Sequence, residues 1–421
     1  MDKYIIKGNK RLKGSIKISG SKNAALPLIS AAILTSGVTR LHNVPDLKDI
    51  STMLKVIEVL GAKYNFNTEK NELEIDATTI KTHIAPYELV KTMRASIYVL
   101  GPLLARIGKA NVSLPGGCAI GPRPVNLHTS AMEKLGAKIK FEDGFIKARA
   151  RKLKGSEIIF EKISVGATAN AIMAAVLAHG TTVIKNAALE PEIEELIKFL
   201  NKMGAKISGE NTDTITIKGV NKLKPIKYKV MPDRIEAGTY LIAGIITHSK
   251  ITLIDVVAEH IEALIKELER MGVKLLIKNN SITIKKTKNL NSIDIKTMPY
   301  PGFPTDLQAP ITPLLAVTKG ISVVNETIFE NRFMHIPELN RMGADIEINN
   351  NIAIIRGGKK LTGTTVMASD LRAGAALVIA GLAAAHETVI ERIYHIDRGY
   401  EKLEEKLRNI GANIQRISGG K

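Results

Sequence analysis

The chain has 421 residues, 45% of them apolar and 24% charged, with 60 Lys and Arg against 41 Asp and Glu for a formal net charge of +19. That length exceeds what one hydrophobic core serves, so two domains are expected, and a single cysteine excludes an intrachain disulfide and argues against a cysteine-ligated metal cluster. The charge admits a nucleic-acid binder, but it is spread without a long basic run and aromatics are only 4%, too few for a base-stacking platform; the same field would attract phosphorylated substrates.

The first residues, MDKYIIKGNKRLKG, lack an apolar stretch followed by a small-residue cleavage site, so no signal peptide is expected and the expected address is the cytoplasm. Leu12 opens a strand-like stretch, LKGSIKIS. An apolar helix, NAALPLISAAIL, and an amphipathic one, DISTMLKVIEVLG, follow. KYNFNTEKNELEID then alternates apolar and polar residues, as strands with one face in water do. The order returns five more times. Ile80, Leu153, Leu223, Leu290 and Leu361 open further strand-like stretches, and after them come the apolar helices ASIYVLGPLLARI, ATANAIMAAVLA, AGTYLIAGIIT, DLQAPITPLLAV and AGAALVIAGLAAA. The last is the longest apolar run at 13 residues, short of the about 20 a membrane span needs. LGAKY (60–64) likewise returns as LGAKI, MGAKI, MGVKL, MGADI and IGANI, with Gly61, Gly136, Gly204, Gly272, Gly343 and Gly411 at intervals of 68 to 75 residues. A glycine between a helical pattern and a strand pattern reads as a helix C-cap. Each unit is therefore strand, buried helix, strand, amphipathic helix and a two-strand ribbon. Helices apolar all round must be buried on every side, so the sheets lie outside them. The expected fold is α/β: two inside-out domains, each a threefold repeat of that unit.

The informative places are where the copies differ. From the end of the buried helix to the motif glycine there are 24 residues from Gly37 to Gly61 and from Gly180 to Gly204, 23 from Gly320 to Gly343, but 28 from Gly108 to Gly136. The extra residues fall in PGGCAIGPRP, which carries Cys118. A lone cysteine can be a small buried hydrophobe. A loop position, with Gly117, Gly121, Arg123 and His128 nearby, points instead to a functional thiol, since cations lower a thiol's pKa. Counting 14 residues back from each helix end reaches Asn23 (beside Lys22), Arg94, Gly166 and Asp306, with Arg372 within one position in the last unit. Helix N-termini offer free N–H groups and partial positive charge. Any one of these residues can be a cap or a surface charge, but the series predicts a basic, anion-binding cleft. Arg332 and Arg398 occupy corresponding strand-to-helix turns in units five and six and are candidates to close on the same anion.

SGSKNAALP, PGGCAIGPRPVNLH, FPTDLQAP, FENRFMHIPEL and DLRAGAALVIAGL resemble the enolpyruvyl transferase (EPSP synthase-like) family, and within it the bacterial branch acting on UDP-N-acetylglucosamine at the first committed step of peptidoglycan synthesis. The resemblance runs through IYHIDRGYE and IGANI, essentially the whole chain. The branch acting on shikimate 3-phosphate shares the fold but not the cysteine loop and stands as a second reading. A non-enzymatic basic repeat protein, or RNA-end-binding module, on a similar scaffold is a third.

The resemblance implies a domain of residues 21–229 carrying the Cys118 loop, a second of residues 1–20 plus 230–421, and an active site in the cleft between them. It implies phosphoenolpyruvate and UDP-N-acetylglucosamine as substrates, with no cofactor, metal, nucleic acid or membrane, and leaves the oligomeric state open. The sugar 3-hydroxyl would add to C2 of phosphoenolpyruvate while C3 is protonated, and phosphate would then leave as C3 returns the proton. By the same resemblance Cys118 is the proton donor and Asp306 the carboxylate beside the sugar hydroxyl. Lys22 and Asn23 bind phosphoenolpyruvate, and Arg94 an anion. Arg123, Pro124, Val125, Asn126 and Leu127 hold the sugar nucleotide. Lys162, Ser164, Val165 and Gly166 form a second nucleotide contact, and Ile328 a main-chain sugar contact. Arg332, Asp370, Arg372 and Arg398 close around phosphate and carboxylate. Two positions depart from the family's usual pattern: Asn126 stands where Asp is usual, and Ile328 where Val is common.

Overall fold

The six repeated glycines each follow a helix and adopt a positive φ: 110° at Gly61, 91° at Gly136, 103° at Gly204, 93° at Gly272, 92° at Gly343 and 97° at Gly411. Lacking Cβ, glycine turns left-handed at little cost and redirects the chain from helix to strand. The helix Lys48–Leu60, for instance, hands over through Gly61 to the strand Lys63–Asn67. This is a computed structural model, and it describes residues 2–91, 93–114, 125–287 and 289–419.

One regular unit shows the plan. The strand Glu157–Ile159 leads into the helix Val165–Ala175 and the strand Thr181–Lys185; the helix Pro191–Lys202 and strands Lys206–Ser208 and Thr214–Lys218 follow. The first two strands pair in parallel, Glu157 opposite Val183, as a helical crossover demands. Thr214–Lys218 pairs antiparallel with Thr181–Lys185 and with Lys206–Ser208. The two-strand ribbon thus extends a four-stranded sheet, and the described residues form six such sheets.

The described residues divide into two compact units, residues 2–19 with 232–419 and residues 20–114 with 125–231. In the first unit the helices Arg234–Ile246, Gln308–Val317 and Leu371–Ala383 pack on one another. Every residue of Arg234–Ile246 is buried, as an all-round apolar helix requires. The outer helix Glu262–Arg270 buries only Leu264, Ile265 and Leu268. In the second unit Lys22–Ala32, Leu100–Ile107 and Val165–Ala175 are the central helices.

The opening strands depart from expectation. Leu12 immediately precedes its strand, Lys13–Lys17, but the others begin four or five residues after the apolar marker, at Ile84, Glu157, Lys227, Ile295 and Thr365. Leu12, Leu153, Leu223 and Leu361 are buried. These markers are core plugs ahead of the strand, selected for apolar area and not for ladder position. Two central helices also start late. The 3-10 turns Arg94–Val99 and Thr305–Leu307 precede the α-helices Leu100–Ile107 and Gln308–Val317. Pro102 and Pro310 each take the third α-helical position, where no intrahelical N–H is needed.

Strand exchange accompanies the two passages of the chain between units. Lys13–Lys17, which precedes the helix Lys22–Ala32, pairs in parallel with Lys250–Ile254. Lys227–Lys229, which precedes Arg234–Ile246, pairs with Val38–His42. Lys3–Lys7 lies between Glu387–Glu391 and Asn413–Ile417 and completes the last sheet.

Candidate active site

In the unit of residues 2–19 and 232–419, two central helices begin at aspartate caps. Asp233 Oδ1 accepts from the N–H groups of Ile235 and Glu236 at 2.8 and 2.9 Å, and Asp370 Oδ1 from those of Arg372 and Ala373 at 2.8 and 3.1 Å. The third opens on the 3-10 turn holding Asp306, whose carboxylate does different work. It accepts from Arg332 Nη2 at 2.6 Å and Arg372 Nη2 at 3.0 Å. Asp306 is 29% exposed, the arginine side chains only 4% and 2%. Arg332 lies over Phe329 and Arg372 over Tyr400, whose hydroxyl is 3.0 Å from Thr239 Oγ1. The Nε atoms of both arginines are buried without a hydrogen-bond partner among the described residues. Each guanidinium therefore keeps donor capacity for an anion beyond Asp306.

Glu326 organises the neighbouring backbone. Its Oε1 accepts from the N–H of Ile328 at 2.8 Å and from the Thr297 hydroxyl, while Oε2 accepts from the hydroxyl of Thr305, next to Asp306. His335 is fully buried, with Nε2 3.2 Å from Thr312 Oγ1. Burial pushes it down to about 4, with Asp370 opposing and Arg332 adding. Arg398 ends the 3-10 turn Ile393–Arg398 and is half-buried.

In the unit of residues 20–114 and 125–231, Lys22 is the first residue of its helix, beside the Ser21 cap. Its Nζ lies 3.1 Å from Asp49 Oδ2, with both side chains 8% exposed. Asn23 is half-buried behind it, and Arg94 opens its 3-10 turn. Asn170 makes a three-way clamp: Oδ1 accepts from the Gly101 N–H at 2.8 Å, and Nδ2 donates to the Ile97 carbonyl at 2.8 Å and to His128 Nδ1 at 3.0 Å. The first two bonds orient the amide, so Nδ1 accepts and the His128 proton sits on Nε2. Burial, with the Arg94 charge, pushes His128 down to about 3. A Cβ on Gly166 would lie 3.1 and 3.3 Å from the His128 ring, so glycine is what lets the imidazole close on the N-terminus of Val165–Ala175. Ser164 caps that helix by accepting from the Ala167 N–H at 3.3 Å. Val165, Val125 and Leu127 are half-buried, and Asn126 and Lys162 exposed.

The structure brings together Asp306, Arg332, Arg372 and the Asp370 cap, and separately Arg94, His128 and Gly166. Cys118, Arg123 and Pro124 lie outside the described residues. Asp49, Asn170, Asp233, Glu326, His335 and Tyr400 escaped the sequence reading. Asp233 had a signal, since the same count of 14 back from Thr247 reaches it, and so had His335, eight residues before its motif glycine as His128 is. No described helix is long and apolar enough to cross a membrane.

The chain matches the EPSP synthase family, described as EPSP synthase (3-phosphoshikimate 1-carboxyvinyltransferase), over residues 6–407. It is 53% identical over 417 residues to the UDP-N-acetylglucosamine 1-carboxyvinyltransferase of Geobacter metallireducens, spanning 99% of this chain and 100% of that one. It is also 53% identical over 420 residues to UDP-N-acetylglucosamine 1-carboxyvinyltransferase 2 of Carboxydothermus hydrogenoformans, with 99% and 100% covered. Among solved structures, the enolpyruvyl transferase NikO from Streptomyces tendae superposes with a TM-score of 0.90 at 25% identity, over 100% of this chain and 99% of that one. EPSP synthase from Acinetobacter baumannii shares the fold, with a TM-score of 0.78 at 19% identity over 99% and 100% of the two chains.

Proposed function

The chain belongs to the EPSP synthase family, and we propose that it transfers the enolpyruvyl group of phosphoenolpyruvate to the 3-hydroxyl of UDP-N-acetylglucosamine with release of phosphate, the first committed step of peptidoglycan synthesis. The observation that carries this reading is Asp306 held between Arg332 and Arg372. A carboxylate able to take a hydroxyl proton stands beside two cations able to hold a dianion. The choice of acceptor rests on the full-length relatives and on PGGCAIGPRPVNLH.

In this mechanism the sugar hydroxyl attacks C2 while Cys118 protonates C3 and Asp306 takes the hydroxyl proton. C3 then gives its proton back to the Cys118 thiolate as the bond to phosphate breaks. Lys22, Arg123, Arg372 and Arg398 hold the negative charge of phosphate and carboxylate, with Arg332 and the Asp370-capped helix closing on the same groups. Asp49 holds the Lys22 side chain in place at its helix mouth. Phosphoenolpyruvate competes with Asp306 for the two guanidiniums. The nucleotide is held by Arg123, Pro124, Val125, Asn126 and Leu127, and by Lys162, Ser164, Val165 and Gly166 at a helix N-terminus suited to pyrophosphate. Asn23, Arg94 and Ile328 complete the substrate contacts. On this reading the domains are 21–229 and 1–20 plus 230–421, both contribute to one cleft, and the enzyme works in the cytoplasm.

Phosphate release from phosphoenolpyruvate tests the reading, with UDP-N-acetylglucosamine and shikimate 3-phosphate offered separately. Release with the sugar nucleotide alone is expected. Release only with shikimate 3-phosphate would transfer the chain to the other branch, and salt-sensitive RNA binding with no release from either acceptor would make it a binding module.

A further inference from the structure

Arg398 stands on a segment whose backbone is strained at both ends. Arg392, just before its 3-10 turn, has φ 57°, and Lys402, just after, has φ 48°. Non-glycine residues adopt that region only where surrounding contacts impose it. The residue before Arg398 is held from the last strand, Asn413–Ile417. Arg416 Nη1 donates to Asp397 Oδ1 at 3.1 Å and Nη2 to Asp397 Oδ2 at 2.5 Å, a bidentate pair on the residue next to Arg398. The same guanidinium donates through Nε to Asp2 Oδ2 at 3.0 Å and through Nη1 to Glu404 Oε1 at 3.4 Å. Glu404 Oε2 in turn accepts from the Tyr4 hydroxyl at 2.7 Å. One cation therefore ties the first strand, the last strand and both sides of the Arg398 turn.

Arg416 and Asp397 side chains are each 31% exposed, and a bidentate pair within such a charge network contributes to stability as well. What a planar fork on a carboxylate supplies beyond that is direction. We propose that Arg416 is a positioning residue, whose grip on Asp397 sets the direction from which Arg398 meets the anionic substrate. The inference rests on the reading of Arg398 as a ligand of phosphoenolpyruvate.

The full chain is assayed for phosphate release with both substrates varied. Arg416→Lys keeps the charge and removes the fork; Asp397→Asn keeps the shape and removes the charge. Each is expected to lower kcat/KM for phosphoenolpyruvate about tenfold, as small misplacements of a binding group do. KM for UDP-N-acetylglucosamine should stay near the parent's at a temperature where each variant is fully folded. In an Arg398→Gln background, Arg416→Lys should cause no further loss, because its effect passes through Arg398. Values within about twofold of the parent in both single variants, full additivity on Arg398→Gln, or a parallel rise of both KM values would each overturn the proposal. A parent that releases no phosphate removes the reading beneath it and the inference with it, whereas an active parent with unaffected variants removes the inference alone.

Discussion

His128 and His335 lie at the same repeat position, each eight residues before its motif glycine, Gly136 or Gly343. Burial, as the largest cause, pushes them down to about 3 and about 4. Each is neutral in the fold and takes a proton in the unfolded chain below about pH 6.5. The unfolded state thus binds more protons in that window, so their contribution is full above about pH 6.5 and is lost as pH falls toward 4 and 3. Glu195 and Glu236, raised by burial, act in the opposite sense. The informative quantity is therefore a difference: the urea midpoint of His335→Gln should fall less between about pH 7 and pH 4.5 than the parent's. Equal slopes would contradict a neutral buried imidazole. Asn170→Leu would take the side-chain acceptor from the Gly101 N–H, the side-chain donor from the Ile97 carbonyl and the partner from His128 Nδ1 together, at a cost on the order of 3 kcal/mol by denaturant titration. Cys118→Ser should lower turnover on the order of a hundredfold while leaving UDP-N-acetylglucosamine affinity nearly unchanged; near-normal turnover would end its assignment as proton donor. Repeat position made Lys22, Arg94, Asp306 and Arg372 visible in the sequence. The pairings were not visible, because Asp49 is 27 residues from Lys22, and Arg332 and Arg372 are 26 and 66 from Asp306. No local periodicity encodes such pairs.

Among the elements, the glycine C-caps and the amphipathic outer helices follow directly from sequence, since both are local features. Gly204 has φ 103° and no heavy atom within 4 Å of a would-be Cβ, so Gly204→Ala measures backbone strain alone, roughly 1–2 kcal/mol. Gly101 differs: a Cβ there would lie 2.5 Å from the Asn170 carbonyl oxygen and 2.7 Å from its Oδ1. Gly101→Ala must displace backbone and break the clamp, so its loss in chemical denaturation should exceed that of Gly204→Ala. The reverse order would show that the clamp yields. The strand starts were misread because Leu153, Leu223 and Leu361 are apolar for the core and not for a ladder. The late α-helix starts trace to Pro102 and Pro310, whose effect depends on which turn they occupy.

At the scale of the molecule, each passage of the chain is anchored inside its own unit. The Ser19 N–H donates to Glu236 Oε2 at 2.7 Å, Lys406 Nζ donates to Ser19 Oγ at 2.6 Å, and the Asp233 N–H donates to the Ser19 carbonyl at 2.8 Å. The Met231 N–H donates to Glu195 Oε1 at 2.9 Å. Six similar units in a row carry no mark of the strand exchange at these points, because pairing between distant strands leaves no period in the sequence. The proposed chemistry draws Lys22 and the nucleotide-binding residues from one unit and Asp306, Arg332, Arg372 and Arg398 from the other, so it requires the two to act on one substrate. Closing an enzyme around its ligand in this way excludes water and completes the catalytic set. Small-angle X-ray scattering of the protein, with and without saturating UDP-N-acetylglucosamine, tests that requirement most directly. The radius of gyration should shrink when the sugar nucleotide binds; a radius that stays the same at full occupancy would contradict a site shared by both units.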